Sequence, residues 1–350
     1  MAIRSRTFCE TYAEDLQLVR TIWARFWLGV LLAVLLGLPF LGGAYPVYLA
    51  NLSCIAIVGA LGLNILTGFT GQISLGHSAF LALGAYTTAL LAKRFGLPFW
   101  LLLPASGGVA AVAGIAVGLP CLRLKGLYLA MATMAFGVVV DHLVITWSSL
   151  TGGVRGLQVS PPDLFGHALE GDTKIYFFLV SVTAVMLVAA KNIVRTRVGR
   201  AFVAIRDRDV AAEALGVNLT AYKVLAFAIG SFYAGVAGGL YAYTLGYIQP
   251  EHFTFLLSVE YIAMNIVGGL GSVLGSVLGA VFIVCAPEAI KALAQALEAV
   301  LPSVLGQYNE EWNIAAFGLL IMLFLIFEPG GLNAIWGRVR VGFRNWPFTY

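Results

Sequence analysis

Arg195-Thr-Arg-Val-Gly-Arg-Ala-Phe-Val-Ala-Ile-Arg-Asp-Arg-Asp-Val-Ala-Ala-Glu-Ala-Leu-Gly-Val-Asn218 is the one polar interruption in the otherwise hydrophobic second half of this 350-residue chain. Its reading decides the architecture, because the apolar runs on either side are long enough to cross a bilayer and the stretch between them is not. Within it, Asp209 is the expected N-cap, Val210 to Leu215 a short Ala-rich helix, and Gly216 the left-handed C-terminal stop. A membrane protein that keeps a folded, basic, amphipathic loop on one side presents it to a soluble partner.

The composition agrees with this. Hydrophobic residues make up 60% of the chain and charged residues 11%, and the mean hydropathy is +0.90; an ordinary soluble domain is excluded. Crossing about 30 Å of hydrocarbon takes roughly 20 helical residues. Apolar runs of that order begin near Phe26, Val47, Ser74, Leu97, Leu127, Ile175, Val224, Phe253, Ser272 and Trp312. The expectation is an all-α polytopic membrane bundle of about ten transmembrane helices. The runs are continuously apolar and lack the alternation of a lipid-facing strand, which argues against a barrel.

Residues 1–25 are too long and too acidic for a secretory leader and read as a cytoplasmic N-terminal tail. Residues 26–336 form the transmembrane domain, with a cytoplasmic loop at about 195–222, and 337–350 form a cytoplasmic C-terminal tail. Lysine and arginine are retained on the cytoplasmic side during insertion. Ten spans with both termini inside place sixteen of the 21 lysines and arginines there. Lys93, Arg94, Arg155, Lys174 and Lys291 face outward, and the Lys93-Arg94 pair is the local conflict.

Several function classes fall away. Cys9, Cys54, Cys121 and Cys285 are scattered, and His77, His142, His167 and His252 show no ligand spacing, so no metal site is expected. The net charge of +4 is accounted for by loops facing anionic lipid, and no nucleic-acid role is needed. A Walker A loop needs lysine after glycine to cradle phosphates; none of the six lysines follows one. No nucleophile elbow or Ser, His and acid cluster is present.

Polar residues inside the apolar runs are the remaining candidates. In Leu63-Asn-Ile-Leu-Thr-Gly-Phe-Thr-Gly-Gln-Ile-Ser-Leu-Gly-His77, glycines interrupt the run, and broken helices at membrane depth are tolerated only against protein or a polar cavity. Asn64, Thr67, Gln72, Ser74 and His77 either line a route for a polar solute or belong to a glycine-rich turn between packed helices. Asp141, beside His142, is costly in hydrocarbon unless partnered or hydrated; Glu260 and Asn265 are treated alike. Gly271, Gly275 and Gly279, four apart, are expected on one helix-packing face.

These residues also carry a resemblance. The run from Leu63 to Phe80 followed by Leu83-Gly-Ala-Tyr86, then Gly126-Leu-Tyr-Leu-Ala-Met-Ala-Thr133, Thr151-Gly-Gly153, the polar loop, Gly268-Gly-Leu-Gly-Ser272 and Phe327-Glu-Pro-Gly-Gly-Leu332 resemble the LivM-type permeases of branched-chain amino acid ABC importers, the hydrophobic amino acid uptake family. The likeness spans roughly Pro46 to Leu332. It implies a bacterial inner-membrane, multi-pass permease subunit paired with a second, LivH-type permease, two cytoplasmic ABC ATPase subunits and a periplasmic solute-binding protein. ATP and magnesium then belong to the partners, and this chain carries no cofactor or catalytic residue. Ala211-Ala-Glu-Ala-Leu-Gly216 resembles the EAA coupling loop, with Ala211, Ala212, Glu213 and Gly216 at its core and Arg206 and Asp209 beside it. Relatives also move urea, amides or aromatic acids, and a stand-alone secondary transporter is the competing class.

The charge partition generates a test. With single cysteines in a cysteine-free background, the positions of Arg4, Arg206 and Arg340 are expected to be protected from an impermeant reagent outside intact cells, and that of Asp163 to react. Labelling at the Arg206 position from outside refutes the topology.

Overall fold

The computed structural model describes residues 22–41, 43–164, 167–168, 171–300, 310–328 and 330–345. Most of the N-terminal tail, Cys9 and the last residues of the C-terminal tail lie outside them. In chain order come α1 (Ile22–Leu41), α2 (Ala44–Leu63), which continues as a π-helical turn (Asn64–Phe69), α3 (His77–Phe95), α4 (Phe99–Cys121), α5 (Leu127–Thr146) and the short α6 (Ser148–Thr151). There follow β1 (Leu157–Gln158), β2 (Asp163–Leu164), β3 (His167–Ala168), α7 (Asp172–Arg195), α8 (Arg197–Asp207), α9 (Asp209–Ala214) and α10 (Leu219–Leu245). The chain then passes through β4 (Tyr247–Ile248), α11 (Phe255–Gly268), α12 (Val273–Val300), α13 (Glu310–Phe327) and α14 (Gly331–Asn345).

Each apolar run found in the sequence coincides with one of these helices. Among the described residues six segments can cross a membrane by length and composition: Ala44–Phe69, Phe99–Cys121, Leu127–Thr146, Thr173–Arg195, Leu219–Leu245 and Val273–Ala292. At 14 residues, α11 rises only about 21 Å and reaches part of the way, ending at a glycine break before α12. The structure is that of an all-α membrane protein, as expected. Among the described residues two short antiparallel pairs close the connections, β1 with β4 (Leu157 opposite Ile248) and β2 with β3 (Asp163 opposite Ala168). Gly156 and Gly246, with φ of 70° and 67°, let the chain enter the first pair from either side.

The core is organised around α10, which packs against α2, α3 and α4. Between helices in lipid there is little hydrophobic driving force, so small residues that admit close backbone approach take over. A Cβ added at Gly238 would lie 2.0 Å from the Leu81 carbonyl oxygen of α3, and one at Gly84 2.1 Å from that of Gly235. On the α4 side Gly107 and Gly114 meet Phe232 and Ser231 of α10. Glycine in these helices costs about 1 kcal/mol each in propensity, offset here by contacts that no larger residue allows. α2 and α10 are therefore mostly buried, α7 is mostly partly buried, and α5 is mostly exposed, turning Leu127, Tyr128, Val138 and Val139 outward.

Side-chain hydrogen bonds lash α7 to this core. Tyr233 Oη donates to the Met186 carbonyl at 3.0 Å and Thr183 Oγ1 to that of Cys54 at 3.3 Å, while Tyr176 Oη reaches Leu35 of α1 at 2.7 Å. The Lys93-Arg94 pair sits in the last turn of α3, where the helix dipole favours cations, which gives the one adverse pair in the charge partition a local reason.

Gly238→Val is expected to destabilise the detergent-solubilised protein by about 3 kcal/mol through overpacking, while Gly108→Ala, with open space around it, stays within about 0.5 kcal/mol. Thermal unfolding followed by size-exclusion chromatography distinguishes them; equal melting points would refute the close-packed hub.

Candidate functional site

The polar loop folds as two helices. α7 ends at Arg195, Thr196 is extended, and α8 begins at once. The turn is so tight that a Cβ at Gly199 would lie 2.1 Å from the Val194 carbonyl oxygen. α8 is strongly amphipathic, burying Gly199, Ala201, Phe202 and Ile205, with the Phe202 ring edge-on to Tyr222 at 6.3 Å. α9 then buries Ala212 and ends as expected at Gly216, whose φ is +85°. The Val217 amide donates to the Ala212 carbonyl at 3.0 Å and the Gly216 amide to that of Glu213 at 2.9 Å, the paired bonds of a Schellman stop. Asn218 Oδ1, one residue further on, accepts from the Ala221 amide at 3.0 Å and caps α10.

Asp209 is not the N-cap the sequence predicts; Arg208 holds that position in extended conformation and Asp209 is the first helical residue. Its carboxylate is drawn away by cations from other elements. It accepts from Lys125 in the α4–α5 connection and lies 3.9 Å from Lys223 of α10, and it takes the Val210 amide at 2.9 Å. The Lys125 hydrogen bond, ahead of the Val210 amide and Lys223, holds the carboxyl below its usual range. A depressed folded value means that the bridge contributes at neutral pH and is lost only as pH falls through that lower value.

Above the loop lie two helix breaks. α2 loosens into the π-turn and stops before Gly71 (φ +73°); α11 stops at Gly268 and turns through Gly269 (φ +109°) and Gly271 (φ +76°) into α12. One hydrogen-bond network joins them. Asn64 Nδ2 donates to the Ser272 carbonyl at 2.8 Å and to Ser276 Oγ at 2.6 Å, and Asn64 Oδ1 accepts the Gly271 amide at 2.9 Å. Ser276 Oγ donates to Asn265 Oδ1 at 2.9 Å, and Asn265 Nδ2 donates to the Ala60 carbonyl at 3.0 Å. Both asparagines are buried.

Of the other candidates, Thr67 Oγ1 donates to the Gln72 carbonyl at 3.1 Å. Gln72 and Ser74 are buried, and Gln72 Nε2 and Ser74 Oγ have no hydrogen-bond partner. His77 is buried with Nε2 3.0 Å from the Gly59 carbonyl oxygen and its ring edge-on to Tyr261 of α11. Asp141 is exposed and lines a small crevice with Tyr86 and Phe253. Glu260 is half-buried on α11; neither it nor Asp141 joins the network. Gly275 and Gly279 do form a packing face, against Gly268 and Met264 of α11, but Gly271 lies in the turn and not on that face.

The structure also brings in residues the sequence reading passed over: Ser276, Lys125 and the Gly68 carbonyl. A signal was present for the breaks, since Asn64-Ile-Leu-Thr-Gly68 and Asn265-Ile-Val-Gly-Gly269 share three of five residues.

Apolar helices broken at buried polar turns, with a folded loop between α7 and α10, are those of a multi-pass membrane protein. The family model described as branched-chain amino acid transport system / permease component matches residues 45–326, and the chain belongs to that family. It is 34% identical over 336 residues to the high-affinity branched-chain amino acid transport system permease protein LivM of Salmonella typhimurium, covering 89% of this chain and 75% of that one. It is also 25% identical over 296 residues to LivH of the same organism, covering 78% and 90%. A weaker likeness, 28% over 234 residues and 63% of each chain, is to the autoinducer 2 import system permease protein LsrC of Escherichia coli. No solved structure matches significantly.

Asn64→Ala strips two acceptors and one donor of their buried partner, each such loss costing about 1 to 3 kcal/mol. A double-mutant cycle with Ser276→Ala is expected to give a coupling of about 1 kcal/mol in thermal unfolding; strict additivity would dissolve the network.

Proposed function

We propose that this chain is the LivM-type member of a permease pair in a bacterial inner-membrane importer of branched-chain or other hydrophobic amino acids, working with a LivH-type second permease, two cytoplasmic ABC ATPase subunits and a periplasmic solute-binding protein. In this reading about ten helices span the membrane, both tails and the 195–222 loop face the cytoplasm, and the segment from Trp147 to Lys174 faces the binding protein. ATP and magnesium stay on the partners; no substrate bond changes on this chain.

The observation that carries the reading is α9. It is pinned by Ala212 and Asp209, yet leaves Val210 74% and Leu215 85% exposed with Glu213 also exposed. Apolar side chains held rigidly on a polar loop need a protein surface to cover them. ATP-driven closure of the ATPases would push this surface, and the loop would pass the movement to the helices so that the route opens alternately to either side. The likeness to an autoinducer 2 permease supports a scaffold open to other cargo, with the binding protein expected to set much of the selectivity.

Glu213→Ala removes a charged contact whose loss at an interface typically costs about 2 to 5 kcal/mol, and Gly216→Val forces a β-branched residue into positive φ. Both variants are expected to insert normally and leave the binding protein able to hold ligand, while ATPase docking and uptake in proteoliposomes fall sharply. Near-normal uptake and ligand-stimulated hydrolysis in both would refute the coupling role.

A further inference from the structure

Arg206 was grouped with the residues that meet the ATPases, but its side chain, partly exposed and with Nε 3.4 Å from Asp207 Oδ1, also reaches inward. It follows the buried Ile205 on α8, and its Nη1 donates to the Gly68 carbonyl at 2.8 Å. That carbonyl belongs to the frayed end of α2 and its π-turn, where the last helical carbonyls have no donor within the helix and the dipole favours a cation. The same side chain lies against the second break. A Cβ at Gly271 would stand 2.5 Å from Arg206 Nη1, and one at Gly71 3.1 Å from Arg206 Cγ. Both glycines have positive φ, +73° and +76°, so the two breaks close on one arginine with bare backbone.

We propose that Arg206 is the positioning residue that carries movement of the cytoplasmic loop to both helix breaks, holding them together at their cytoplasmic end in this conformation. Asn64 ties the breaks internally, through the Gly271 amide at 2.9 Å and the Ser272 carbonyl at 2.8 Å; Arg206, bonded to the Gly68 carbonyl of the first break and packed against Gly271 of the second, adds an outer tie anchored in the loop. Withdrawing α8 by about 1 Å stretches the Gly68 bond past hydrogen-bonding distance and releases the outer tie while α9 keeps its hold on Lys125. A guanidinium suits this role because it stays charged and presents several donors in one plane, allowing it to span both breaks. This inference rests on the reading of the chain as a permease driven by separate ATPases.

The test uses the complete transporter in proteoliposomes, with the cognate binding protein and labelled leucine, measuring uptake and ATP hydrolysis in the same vesicles. Arg206→Ala is expected to keep the ATPases bound and hydrolysing while leucine accumulated per ATP falls about tenfold, the effect of one charge-assisted hydrogen bond. Gly271→Ala, which crowds the guanidinium without removing it, is expected to lower the same ratio. Arg206→Lys, able to donate to the Gly68 carbonyl alone, is expected to restore part of it. If Arg206→Ala does not assemble, the ratio in Gly271→Ala and Arg206→Lys decides. An unchanged ratio in these variants, or uptake and hydrolysis falling together in step with thermal stability, overturns the role of Arg206. A wild-type complex that binds the ATPases but neither hydrolyses ATP in response to the loaded binding protein nor accumulates leucine overturns instead the proposed amino acid importer on which it rests.

Discussion

Backbone amides and carbonyls have no water to bond to in hydrocarbon, and each one left alone costs several kcal/mol. The rest of this structure depends on that constraint. Unbroken helices meet it by themselves, but α2 and α11 both stop where they are surrounded by protein. The freed groups are answered one by one: Gly271 N–H by Asn64, the Ser272 carbonyl by Asn64, the Ile65 carbonyl by Thr70 and the Gly68 carbonyl by Arg206. Asn64, Thr70 and Arg206 thus complete two interrupted backbones, whereas Gln72 Nε2 and Ser74 Oγ, buried nearby, have no partner among the described residues.

The helices themselves were legible because a membrane span is a long signal, and each apolar run in the sequence meets a helix within a few residues. So was the stop at Gly216, since a left-handed glycine after an Ala-rich turn has one common use. The cap at Asp209 was misread for a reason that local sequence cannot contain. A carboxylate before a helix caps it unless a cation from elsewhere competes, and Lys125, 84 residues away, does so. Likewise Gly271 fits the four-residue spacing of Gly275 and Gly279, but the spacing does not say where α12 begins; the demands of the turn decide that.

Arg206 shows the same limit from the other side. As one of several arginines in a basic loop it reads as a residue that meets the ATPases, and only the fold reveals that Gly68, Gly71 and Gly271 converge on it. The repeated Asn-Ile motif marks the two breaks, yet nothing in either copy names the residue that joins them. Sequence periodicity identifies elements well because it is local. The partners of a polar group are set by which elements meet.

The two anchors of the loop differ in kind. Asp209 fastens α9 by charge to Lys125 and Lys223, at an exposed place where an ion pair is worth at most about 1 kcal/mol and is easily rearranged. Arg206 fastens α8 to backbone through the Gly68 carbonyl, while its Nε lies 3.4 Å from Asp207 Oδ1. A force applied to Val210, Glu213 and Leu215 meets the anchor of α9 first and that of α8 second. In the proposed transporter this order matters: the loop can accommodate the approach of a partner by shifting around Asp209, and displacement reaches the helix breaks only when α8 itself is moved.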